Sequence, residues 1–121
     1  MTTSDQVIFW LLSSGIAKLD PFGVYNERAS YQPAAGAHFV VQAPCPGHEV
    51  ISVVPLGGHY RDARVNFSCD AGVVEEVFFS ETFAGRIFGD TQPIPVCRGE
   101  LDSLWERFQQ AFDQLLLEID A

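Results

Sequence analysis

The chain has no CxxC pair, and its three cysteines, Cys45, Cys69 and Cys97, are an odd number. That argues against a disulfide framework and fits a reducing compartment. Long apolar runs are missing too: the longest, Val7 to Leu12, has six residues. Six is too short for a secretion signal or a membrane span, so a cytoplasmic location is expected. Basic residues are scarce, with seven Lys and Arg against sixteen Asp and Glu and a formal charge of −9. A charge of that sign repels phosphate backbones and membrane surfaces. Direct nucleic-acid or membrane binding is therefore not expected, and a basic protein surface or a cationic ligand is favoured.

Familiar catalytic loops are also lacking. No G-x-S-x-G elbow, P-loop or G-x-G-x-x-G occurs. His48-Glu49 opens like a zincin helix, but Ser52 stands where the second histidine would be needed. No cofactor is indicated, and the chain reads as more of a binder than an enzyme.

What is present is a globular composition. Of 121 residues, 47% are hydrophobic, with ten Phe and two Trp. That length suits one domain, 1–121, and no composition shift marks a linker. Thr3 and Gln6 stand at capping-box spacing ahead of Val7-Ile8-Phe9-Trp10-Leu11-Leu12, which predicts a helix ending near Gly15, with Ile16 and Leu19 continuing one face. Residues 20–36, with two Pro and two Gly, read as a long connection with a short strand around Val24.

From Ala37 the period changes to that of strands. The segments AHFVVQA, HEVISVVP, YRDARVNFSC and VVEEVFFS are separated by the turn signals PCPG, GG and DAG. They predict an antiparallel meander of four strands over about 37–80, with a weaker fifth strand drawn from 83–97. Closing the hairpins at those turns sets Val41 against Val50, Val50 against Val65 and Val65 against Val77. One face then collects Phe39, Val41, Val50, Val54, Val65, Phe67, Val77 and Phe79, and Glu49, Asp62, Arg64, Asn66 and Glu76 take the other beside fewer apolar groups. Leu101, Leu104, Trp105, Phe108, Ala111, Phe112, Leu115, Leu116 and Ile119 keep helical spacing, so a long amphipathic helix is expected to pack on the apolar face. The fold class is α+β.

Cys45, His48, His59 and Cys69 hold the residue types of a tetrahedral zinc site. The meander separates His48 and His59 to opposite ends of a strand, which leaves Cys45, His48 and Cys69 as the metal candidates, with Asp70 or Cys97 to be recruited. The same Cys and His residues supply a nucleophile and a base on paper. Buried structural cysteine is the commoner role for that residue. Glu75 and Glu76 alternate across a strand and so are expected on opposite faces.

Three functional readings follow. The first is a small acidic factor, of inhibitor, immunity, antitoxin, chaperone or adaptor type, that acts by occupying a basic partner protein; Glu75, Glu76, Glu81 and Leu117 are its candidate contacts. The second is a ligand-binding protein or enzyme with a pocket between sheet and helix, lined from Tyr25, Tyr31, Tyr60, His38 and His59. The third is a subunit of an assembly, a homodimer included, joined through a sheet edge or the first helix. Phe9 and Trp10 are adjacent and cannot both face one narrow core stripe, so one of them is available to a partner.

Overall fold

A computed structural model describes residues 1–20, 27–33, 37–55, 63–81, 87 and 89–120, with side chains at 1–16, 41, 46–53, 64–80, 87 and 89–114. Helix α1 (Ser4–Ser13) is followed by strands β1 (Ala17–Asp20), β2 (Glu27–Pro33), β3 (Ala37–Cys45), β4 (His48–Pro55), β5 (Ala63–Asp70) and β6 (Val73–Glu81), then by helix α2 (Arg98–Asp120). The strands form one antiparallel sheet in chain order, β1-β2-β3-β4-β5-β6. The α+β class with an antiparallel sheet agrees with expectation, but the strand count does not. Residues 27–33, expected as part of a connection, form β2, and Leu19 belongs to β1 instead of extending the first helix. Val24 lies outside the described residues. Among the described residues of 83–97 there is no strand, only single bridges at Ile87 and Gln92.

Local chemistry sets the ends of α1. Thr3 and Gln6 form the full capping box, the Thr3 hydroxyl accepting from the Gln6 N–H and the Gln6 side-chain Oε1 accepting from the Thr3 N–H. At the other end Gly15 has φ +72°. Its N–H donates to the Leu12 carbonyl, and the Ile16 N–H donates to that of Leu11, which is a Schellman ending.

Two hairpin turns fix the register of the middle strands. Pro46-Gly47 joins β3 to β4, with Gly47 at φ +79°, and Ala71-Gly72 joins β5 to β6 with both residues at positive φ. The second has the double left-handed form that matches strand twist. The Ala71 N–H donates to the Gly47 carbonyl at 2.7 Å, so the two turns are tied at one end of the sheet.

Compared with the expected register, β4 slips by one. Val41 pairs with Ile51 and Gln42 with Val50, after an irregularity between Gln42 and Cys45. Because side chains alternate, that slip turns the strand over. Ile51 and Val53, not Val50, lie fully buried with Val41, Val65, Phe67, Cys69, Val77 and Phe79. Glu49 moves to the same side as Ile51 and is half-buried. The β5–β6 pairing slips by two, with Phe67 against Val77 and Val65 against Phe79, and an even slip leaves the faces unchanged. Gly57, Gly58 and Asp62 lie outside the described residues.

Leu101, Leu104 and Phe108 of α2 and Val7, Trp10 and Leu11 of α1 belong to the same buried cluster as these strand residues. The Phe108 ring is 5.3 Å from Phe79, and Trp10 meets Phe67 edge-on at 6.4 Å. Along the β6 edge, Thr3 bridges Val73, Gln92 bridges Val77 and Ile87 bridges Ser80, which occupies ladder groups that an edge strand would otherwise offer. No helix among the described residues is long and apolar enough to cross a membrane.

Candidate functional site

The N-terminus of the chain and the start of α2 are held together by directional bonds. The Thr2 carbonyl accepts from the Val74 N–H, and the Thr2 hydroxyl donates to the Pro95 carbonyl. The Trp10 indole N–H donates to Asp102 Oδ1 at 2.9 Å, linking α1 to α2. Helical spacing then separates two faces of α1. Val7, Trp10 and Leu11 are buried, while Asp5 and Phe9, one turn apart, lie on the outer side.

Between that outer side and the start of α2 lies an apolar groove of about 390 Å³. Phe9, Trp10, Val96 and Leu101 line it, with Asp5 and Gln6 from α1, Cys97 just before α2 and Arg98 at its start. Phe9 and Val96 are each 68% exposed, an unusual placing for a large aromatic and a valine side by side in one groove. Ile94, 40% exposed, lies beyond Val96 in a second concavity shared with Glu100 and Arg107. The groove is preformed. Trp10 is 2% exposed and bonded to Asp102, and the Val96 N–H donates to Glu100 Oε2 at 2.8 Å, so floor and wall are fixed by hydrogen bonds.

The residues singled out as a metal set are divided. Cys69 is fully buried in the core, its Sγ 3.7 Å from the Phe67 carbonyl, and His48 stands on the other side of the sheet beside Ser68. Cys45 pairs with His48 across the first hairpin, but its side chain lies outside the described ones, and Cys97 is exposed in the groove. No group of three or more His, Cys, Asp or Glu able to hold a metal is found among the described residues.

The structure gives His48 a different company. Its Nε2 is 3.3 Å from Ser68 Oγ and its Nδ1 is 3.9 Å from Glu75 Oε1. A bulge makes this possible. Ser68 pairs with Glu76 but Cys69 pairs with Val74, so Glu75 is an extra residue between two core positions, Val74 and Val77. Glu75 and Glu76 are both exposed and both turn away from the core, which corrects the expectation that they face opposite sides. Glu81 and Leu117 fall at positions whose side chains are not among those described, as do Tyr31 and His38; Tyr25, His59 and Tyr60 lie outside the described residues.

Comparison with protein-family models, curated proteins and solved structures finds no match for this chain. The groove residues are therefore read on their own chemistry. Of these the sequence points to the Phe9–Trp10 pair as a contact, while Leu101 is expected in the helix stripe and Cys97 only as a recruited metal ligand. Val96, Cys97 and Asp102 join it through tertiary contacts; on sequence the stretch QPIPVC reads as part of a weak fifth strand that its two prolines would confine to an edge.

Proposed function

We propose that this chain is a small acidic protein-binding factor, of the inhibitor, immunity, antitoxin, chaperone or adaptor kind, that acts in a reducing cytoplasm by occupying a partner with a basic surface. The observation that carries the reading is Phe9, 68% exposed at the rim of a preformed apolar groove of about 390 Å³. Burying such a side chain on association is worth roughly 1.5–3 kcal/mol, and aromatic anchors entering pockets dominate many interfaces. The net charge of −9, with Glu75 and Glu76 exposed together, supplies a field that speeds encounter with a basic partner. Glu81 and Leu117 remain proposed contacts of the same kind.

The test is native mass spectrometry of the untagged protein from its source cells beside the Phe9→Ser variant. A stoichiometric protein partner that is lost in the variant, with the circular dichroism spectrum unchanged, is the expected result. A bare chain, or a partner retained by Phe9→Ser, overturns the reading.

One observation favours an enzyme as the alternative. Ser68, His48 and Glu75 stand in the order nucleophile, base, carboxylate, although cross-strand neighbours on a sheet face produce such polar rows without catalysis. A fluorophosphonate probe decides between them: labelling at Ser68 that disappears in His48→Ala supports chemistry, and no labelling removes it.

A further inference from the structure

We draw no further inference here: the strongest candidate, the apolar groove between α1 and the start of α2, has a charge-neutral lining of one carboxylate, Asp5, and one guanidinium, Arg98, and nothing in the structure shows what covers it.

Discussion

Both sides of the β4–β5–β6 region hold buried residues, and these are buried by different means. On one side Ile51, Val53, Val65, Phe67, Val77 and Phe79 form an apolar layer shared with both helices. On the other, Ser52 is 2%, Asn66 4% and Ser80 8% exposed, and these three form a hydrogen-bonded row across the strands. The Ser52 hydroxyl donates to Asn66 Oδ1 at 2.8 Å, and Asn66 Nδ2 donates to Ser80 Oγ at 2.8 Å and to the Phe78 carbonyl at 3.3 Å. The first side is stabilised by removing carbon from water. The second tolerates burial because the polar atoms of Asn66 have partners, and so gains less from each side chain.

The contrast is broken most severely at Phe67, which is fully buried and stacks edge-on with Trp10. Phe67→Ala should cost about 3–5 kcal/mol, read as a fall in urea midpoint at constant m-value. Next comes Asn66→Ala, which leaves the hydroxyls of Ser52 and Ser80 without their shared partner. A loss of about 1–3 kcal/mol is expected, smaller than at Phe67 although the two sites are almost equally buried. If Asn66→Ala proves neutral, the polar row is not holding that side of the sheet.

A double-mutant cycle of Ser52→Ala with Asn66→Ala sharpens the point. A coupling energy of at least about 0.5 kcal/mol is expected for a bonded pair, and simple additivity would show that the 2.8 Å contact contributes nothing of its own. The smallest effect belongs to Phe9→Ser. An aromatic 68% exposed should change stability by no more than about 0.5 kcal/mol, so a large drop in midpoint would mean that Phe9 serves the fold and not a partner.

The alternation in Arg64-Val65-Asn66-Phe67-Ser68-Cys69 shows plainly in the sequence, and it correctly placed Val65 and Phe67 inside. It placed Asn66 on the face opposite the apolar one and left open that Asn66 is buried there, because alternation says which residues share a side and not whether that side is covered. For β4 the sequence HEVISVVP has apolar residues at both parities, Val50 and Val54 on one and Ile51 and Val53 on the other. Either face could be buried, and a one-residue change in the hairpin decided which. The candidate site was half legible. Two adjacent aromatics on a narrow helix announced that one would be surplus, but nothing local marked which one, or that Val96 and Asp102 would stand beside it.

What the sequence by itself determined are features set within a few residues of the chain: the Thr3–Gln6 box, the glycine ending of α1, the Ala71-Gly72 turn and the periodicity of α2. Each rests on bonds or spacings internal to one segment. Only the tertiary structure decided the face of β4, the bulge that turns Glu75 and Glu76 to the same side, and the choice of Trp10 over Phe9 for burial. In a sheet a slip of one residue exchanges the two faces, so the outcome depends on partners distant in sequence. Trp10 is held inward by an indole bond to Asp102, which is 92 residues away.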